Sequence, residues 1–510
     1  MSRKLLKLGV AASSLGAYTW ALRTDHETVN SIGLIRLSRA AYSVFKISVI
    51  YRTNLYGTGL DHESDEYLQI KSACHRHGAE NLLDLCCKNK GIYIKVGQYV
   101  AALDYLLPKE YVETMKVLHS HAPENTLDDV SRVLKEDLGK DIKDLFSSFE
   151  EKPLGTASLA QVHKAVLHDG QTVAVKVQHP FIRKNCKTDL KTMEYLVKIV
   201  SWVFPEFQFQ WVVDETKKNV PIELNFEIEA SNATKIAELF KECKWLKVPK
   251  VYDDLSTQRV LIMEFVEGGQ VNDLKYIKQE KIDPFEISAK LGQLYSKMIF
   301  IHGFVHSDPH PGNILVKKTK QGTLELILLD HGIYANLSRK TMVDYANLWL
   351  SILDRDRIKM RTYCSNLGIS DKVYPIFACM ITGRTWDSIM AGLESSKRTK
   401  FEKDRMQNEF PKLLPNITEI LNQVNPEMLL ILKTNDLMRG IESTLKTTAR
   451  MGAFQVMSEC CVKSVYKSRI DDARDRFSKL TNTMAKYWLL FKLNMYYTYL
   501  NLRSGRFIFA

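Results

Sequence analysis

The apolar positions of this chain follow two different periods. Over residues 67–118 they recur with helical spacing, broken at Gly91 and at Leu107-Pro108, and a short acidic helix is predicted over 128–138. From Phe146 the period shortens to two. Residues 160–167 and 172–177 read as strands joined by a turn at His168-Asp169-Gly170, the composition of a β-hairpin. Helical spacing returns over 180–204 and again, as one continuous stretch, over 213–240. A third strand is predicted over 260–265 and ends at Glu267-Gly268-Gly269. Beyond Asn272 the pattern is mostly helical, with two short apolar runs at 313–316 and 324–329. No repeat or low-complexity segment interrupts this order.

With 510 residues, 45% hydrophobic and 25% charged, the chain is long enough for a large core and appendages. Nine cysteines, without a C-x-x-C pair, read as buried thiols in a reducing compartment. The net charge of +12 matters through its placement. Residues 1–60 hold eight Lys/Arg against two Asp/Glu, and 461–510 hold ten against three, leaving 53 basic and 54 acidic residues between them. The basic excess therefore belongs to the two ends. Lys486, Lys492 and the aromatics from Tyr487 to Tyr499 suit an anionic membrane surface, or else a solvated last helix packed on its own domain. A neutral centre with no recognisable module argues against nucleic acid as a partner.

Residues 1–24 carry Arg3, Lys4, Lys7 and Arg23 and no acidic residue, with a weakly apolar run over 9–22. Such a start fits a mitochondrial targeting segment, and a secretory signal shares its basic beginning. The odd cysteine count disfavours secretion, as does the Asn232-Ala233-Thr234 sequon, which is placed on a helix beside the catalytic residues. The apolar run is short for a bilayer span, so a marginal anchor stays an alternative. Residues 25–65 read as a basic linker or membrane-proximal segment.

Phosphoryl transfer needs a cation on the phosphates, donors for magnesium and a group that positions the nucleophile. Alternation within residues 173–177 puts Lys176 on one face of a strand, where it is expected to pair with Glu229 on the following helical stretch. In His306-Ser-Asp-Pro-His-Pro-Gly-Asn313, Asp308 and Asn313 have the five-residue spacing of the kinase catalytic loop, and the strand at 324–329 delivers Asp330-His331-Gly332, a variant of D-F-G. His306 and His310, four apart, are not read as metal ligands: Pro309 and Pro311 forbid a helix, and a third ligand is missing nearby.

The order of Lys176, Glu229, Asp308, Asn313 and Asp330 matches a bilobal kinase layout. His306-x-Asp308-Pro-His310-Pro-Gly312-Asn313 resembles the H-x-D-P-H-P-G-N signature of the UbiB/aarF-domain atypical kinases, and Lys95-Val-Gly97-Gln98 resembles their K-x-G-Q motif. Glu223-Leu-Asn225 stands in the place of their E-x-D motif, with Asn225 replacing a carboxylate. Gly155, Thr156, Ala157 and Ser158 stand where the family carries an alanine-rich nucleotide loop. The resemblance covers about residues 65–450 and, with the leader, is greatest to the mitochondrial aarF-domain-containing kinase 1 subgroup.

The resemblance implies an α+β, bilobal protein-kinase-like fold with an N-terminal helical extension: extension over 66–145, N-lobe over 146–268, helical C-lobe over 269–510. It implies ATP and Mg2+ as cofactors, with Asp308, Lys176 and Glu229 catalytic and Asn313 and Asp330 on the metal. The nucleotide site is expected to take in Gly155 to Ser158, Lys176, and Met263, Glu264 and Phe265 at the end of the third strand. Lys95, Gly97, Gln98 and Glu223 are expected to regulate, the K-x-G-Q helix covering the cleft where a peptide would dock. Ser307 stands where ordinary kinases carry an arginine, and no A-P-E follows Asp330, so peptide phosphorylation under loop control is not expected. The expectation is an ATP-dependent phosphotransferase or ATPase at the mitochondrial inner membrane. Its partners are expected to be a membrane lipid or small-molecule substrate and inner-membrane proteins, with a link to lipid or coenzyme Q homeostasis. The competing reading is a nucleotide-binding scaffold for membrane organisation in which catalysis is dispensable.

Deleting residues 1–24 should leave the fold intact and release the protein from mitochondria, as read by import assays and by the thermal melt of the truncated chain. Continued import would count against the leader.

Overall fold

The structure is a computed structural model that describes residues 32–56, 61, 64–102, 107–119, 124–204, 210–308, 310–392, 420, 424–447 and 452–503. The targeting segment expected over 1–24 and Pro309 of the catalytic stretch lie outside the described residues. The fold class is α+β, and the chain divides into two compact units, Met1–Ser231 with Lys250–Phe265, and Asn232–Pro249 with Val266–Ala510.

The first unit is built on a five-stranded antiparallel sheet. Strands β1 (Phe146–Phe149), β3 (Ala160–Leu167), β4 (Thr172–Gln178) and β6 (Val260–Glu264) lie side by side, and β2 (Gly155–Thr156) pairs with β3. The predicted hairpin is β3 with β4. Its turn takes Gly170 through a φ of +86°, which a residue with a Cβ adopts only at a cost. Alternation decides the two faces of β4. Val173, Val175 and Val177 pack with Val260 and Ile262 against Val130, Val133 and Leu134 of the helix Leu127–Leu138. That helix starts at Thr126, whose hydroxyl accepts from Asp129 N, and stops at Gly139. Ala174 points the other way, towards Leu261, Met263, Phe226 and Ala230, and Lys176 shares its parity.

The rest of the unit is helical. Asp65–Asn89 opens with Ser64 as a cap and two acids in its first turn, and gives way to Ile92–Ala102 through Lys90 and Gly91, both at positive φ. Leu85, Cys86, Ile92, Tyr93, Met115 and Leu118 bury their side chains against Ile182, Leu190 and Met193 of the helix Ile182–Val203. A buried ion pair ties the first described helix, Gly33–Asn54, to this bundle. Arg36 Nε donates to Asp189 Oδ1 at 2.8 Å and Nη2 to Oδ2 at 2.6 Å. Burial pushes the Asp189 carboxyl up against the pull of Arg36, and removing either partner would strand the other charge.

In one place the helical reading is corrected. The stretch over 213–240 is two helices, Gln210–Glu223 and Phe226–Leu239, because Asn225 turns the chain and its side-chain oxygen accepts from Glu227 N at 3.1 Å. The break sets Glu223 and Glu229 on different helices.

The second unit carries two small sheets within a helical body. Strands β5 (Leu246–Lys247), β7 (Gly269–Gln270), β9 (Ile314–Lys318) and β10 (Leu324–Leu328) form one in the order β5-β10-β9-β7, and β8 (Phe304–His306) pairs with β11 (Tyr334–Asn336) in the other. The predicted apolar runs are β9 and β10. The two- and three-residue strands were invisible to periodicity, since they are too short to show it. The core gathers Leu291, Leu294, Phe300, Val316, Tyr345 and Trp349, among others, with Ile431 and Cys461 from late helices. All nine cysteines are free thiols, seven of them buried, and burial alone drives Cys364 up to about 12. They are packing residues, as the sequence suggested.

Candidate functional site

In the first unit the parity of β4 delivers Lys176 to the face covered by the start of Phe226–Leu239, and its Nζ lies 2.6 Å from Glu229 Oε1. Glu229 is 3% exposed, and the pair gives that carboxylate an opposite charge in the interior. The Phe226 ring lies 5.1 Å from the same ammonium.

The expected nucleotide loop is held from behind. Gly155 and Thr156 pair with Val162 and Gln161 of β3, and Ala157 N donates to Ala160 O at 2.8 Å. Ser158 is buried. His179, just past the end of β4, reaches back so that Nε2 donates to Ala157 O at 2.9 Å while Nδ1 takes the Asn125 amide at 2.8 Å. Two ring nitrogens in opposite roles require a neutral imidazole. Burial enforces this, pushing His179 down to about 4. His179 and Asn125 were missed by the sequence reading, and nothing in their spacing signals a contact 54 residues apart in the chain. At the third strand, Met263 is buried within the sheet, Glu264 N donates to Lys250 O at 2.8 Å, and Phe265 N donates to Thr172 O at 3.2 Å.

The K-x-G-Q helix, Ile92–Ala102, belongs to this unit too. Lys95 Nζ lies 2.6 Å from Glu223 Oε2, with both side chains 12% exposed. A Cβ on Gly97 would run into Leu118 Cδ1 and lie 3.3 Å from Cys86 Sγ, so glycine lets this helix pack close to the turn Lys116–His119 without displacing the buried Leu118 side chain. Gln98 Nε2 then donates to Leu118 O at 2.9 Å. The three residues of the motif divide the mechanical work: Lys95 pairs charge, Gly97 permits close approach and Gln98 anchors the helix.

The second unit joins Asp308, Asn313 and Asp330. Antiparallel register puts Ile314 opposite Leu328, so the residue before β9 and the residues after β10 come out at one end of the hairpin, and Leu329 N donates to Asn313 O at 2.9 Å. His306 links the parts. Its Nε2 donates to Asp330 O at 2.8 Å, and its Nδ1 accepts from Asp308 N at 3.1 Å. His306 is fully buried and its pKa is lowered by burial, which keeps it neutral as these bonds demand. Asn313 Nδ2 reaches Asp308 O at 3.4 Å, and Asp330 Oδ1 accepts from Gly332 N at 2.8 Å. Lys433, on the helix Pro426–Leu445, stands 3.9 Å from Asp308 Oδ1. His331 donates through Nε2 to Leu328 O at 3.1 Å and meets the Tyr334 hydroxyl at 2.9 Å. The sequon residue Asn232 is indeed helical, and its amide donates to His331 O at 2.9 Å.

Asn313 and Asp330 offer a carboxamide and a carboxylate oxygen, hard donors that suit Mg2+ when phosphates complete the shell. No cluster of three or more His, Cys, Asp or Glu able to hold a metal occurs among the described residues. His306 spends both ring nitrogens on the backbone, and His310 accepts from Gly312 N through Nδ1.

Residues 117–364 match the profile of the ABC1 atypical kinase-like domain. The chain is 52% identical over its whole length to AarF domain-containing kinase 1 of Drosophila melanogaster, covering 98% of that protein. It is 46% identical to AarF domain-containing protein kinase 1 of Mus musculus, over 99% of this chain and 96% of the relative. The ABC1 family protein MCP2 of Saccharomyces cerevisiae shares 36% identity over 94% of this chain and 87% of its own.

The neutral histidines set a pH signature. A folded pKa depressed below the ordinary value of about 6.5 means that the unfolded chain binds more protons in between. Stability contributed by His179 is thus complete above about pH 6.5 and is lost as pH falls towards about 4. The melting temperature should drop across that window, and His179→Gln should flatten the drop; an unchanged slope would refute the assignment.

Proposed function

Because the chain belongs to the AarF-domain (ABC1) family of atypical kinase-like proteins, we propose that it is an ATP- and Mg2+-dependent phosphotransferase or ATPase of the mitochondrial inner membrane. The observation that carries this reading is the linkage of Asp308 and Asp330 through one neutral histidine, with Asn313 tied to Asp308 O. Phosphoryl transfer asks the protein for placement and charge rather than covalent chemistry. Lys176, held by Glu229, supplies a cation for the phosphates. Asp330 and Asn313 hold Mg2+, which when bound neutralises charge on the phosphate oxygens. Asp308 orients the acceptor hydroxyl, or water in an ATPase, and takes its proton. The loop from Gly155 to Ser158, braced by His179, presents backbone N–H groups to the nucleotide. The acceptor class in keeping with the basic, aromatic end of the chain is a membrane lipid or a small lipophilic molecule, which ties the activity to lipid or coenzyme Q homeostasis.

Lys95 has a restraining part in this reading. Its pair with Glu223 holds the K-x-G-Q helix against the helix that ends one turn before Phe226–Leu239, the carrier of Glu229. Anything that frees Lys95 loosens the element that positions Lys176.

Two measurements test these roles. Asp330→Asn and Asn313→Ala should each lower Mg2+-dependent ATP turnover, measured with and without liposomes, on the order of 10²-fold and abolish the thermal shift with Mg-ATP. An unchanged shift in both variants would remove the assignment, while binding without any turnover in the native protein would favour the scaffold reading. Lys95→Ala leaves Glu223 buried without its cation, a loss of about 1–3 kcal/mol by chemical denaturation. It should also alter nucleotide affinity or gain autophosphorylation; equal stability, affinity and activity would reduce Lys95 to a solvated helix residue.

A further inference from the structure

The helix Arg476–Arg503 runs for 28 residues and packs along Gly452–Asp472, to which it is held by buried Tyr497, near Ser458, and by Gln455 donating to Asn494. Its opposite side is bare. Phe477, Leu480, Met484, Trp488, Phe491 and Met495 follow one another at three- and four-residue spacing and are all exposed, Phe477 to 75% and Trp488 to 58%. At 3.6 residues per turn they form a single stripe about 80° wide, under a quarter of the helix circumference. Met484, Tyr487, Trp488 and Phe491 border one shallow concavity. An apolar stripe of this length on a soluble surface marks a docking face.

The charges on the helix decide what docks. It carries Arg476, Lys479, Lys486, Lys492 and Arg503 and not one Asp or Glu. A second copy of the same helix would bring five cations against five, with none of the opposite charges that flank a coiled-coil seam. The stripe also carries Phe477, Trp488 and Phe491, with exposed Tyr487 and Tyr499 beside it, where such a seam takes Leu, Ile and Val. Aromatic rings beside lysines are what a bilayer interface favours: the ring lies at headgroup depth and the ammonium reaches the phosphate. Lys492 Nζ lies 5.3 Å from the Trp488 ring and Lys486 Nζ 5.4 Å from the Tyr487 ring, so cation and aromatic already travel together. No helix of the described residues, this one included, is long and apolar enough to cross a membrane.

We propose that the bare face of Arg476–Arg503 is a docking surface for an anionic phospholipid bilayer, lying in the interface with its aromatic stripe inserted and Lys492 on headgroup phosphates. This deepens the membrane association proposed above and rests on it, yet the two fail differently.

The test is flotation of the full-length protein with phosphatidylcholine vesicles, with and without phosphatidylglycerol. Its variants are Trp488→Ser/Phe491→Ser and Lys492→Glu, whose sites are exposed, so unchanged melting temperatures serve as the folding control. The native protein should float with the anionic vesicles and much less with the neutral ones, the double variant should partition about tenfold less or worse, and salt should weaken the binding. If native protein and double variant float equally, the helix is not the docking surface although the membrane association stands. If the native protein does not float, both fall. Concentration-dependent dimerisation in sedimentation that the double variant abolishes, without vesicle binding, would make the face a self-association surface and overturn the proposal.

Discussion

A charge taken out of water must meet its opposite, and the first unit is arranged around that requirement. Three cations and three carboxylates are withdrawn from solvent there, as Arg36 with Asp189, Lys95 with Glu223 and Lys176 with Glu229. Each pair joins elements distant in sequence: the first described helix to Ile182–Val203, the K-x-G-Q helix to Gln210–Glu223, and β4 to Phe226–Leu239. Pairs of this kind add little net stability over an apolar substitute, but a broken one is costly. They therefore act as registration pins more than as glue. The two lysine pairs are also neighbours in the chain, since Glu223 and Glu229 flank one joint, capped by Asn225.

In the second unit Asp308 and Asp330 are held through their backbones. His306 grips Asp308 by its N–H and Asp330 by its C=O. A neutral imidazole suits this role, because one nitrogen donates and the other accepts, and complete burial keeps the ring from charging. The same device recurs in the first unit, where His179 holds Ala157 and Asn125. Each histidine braces the backbone of its own unit.

Much of this was legible beforehand, and for identifiable reasons. Period-two alternation put Lys176 on the opposite face from Val173, Val175 and Val177, and the Asp-Gly turn marked the hairpin. The five-residue spacing of Asp308 and Asn313 and the strand before Asp330 are local features, and the structure brings these residues to one end of the β9–β10 hairpin. The resemblance supplied the pairing of Lys95 with Glu223. Local signals of this kind survive in the sequence because the contacts they encode are short in chain or repeat with a period.

What the tertiary structure alone decided lies at long separation or in very short elements. The bonds of His179 to Asn125 and of Arg36 to Asp189 cross 54 and 153 residues, and no periodicity points across such gaps. The division of 213–240 into two helices turns on one side chain, Asn225, which a helical apolar pattern on both sides conceals. Gly97 reads as a weak helix residue until Leu118 is found where its Cβ would be. The composition of Arg476–Arg503 showed cations and aromatics and left open whether the aromatics pack inward; only the packing on Gly452–Asp472 exposes Trp488 and Phe491 to solvent. Sequence by itself determined which residues can pair, alternate and carry charge, since those properties belong to the side chain. Which of them are buried, and against what, belongs to the fold, because burial is a property of everything that surrounds a residue.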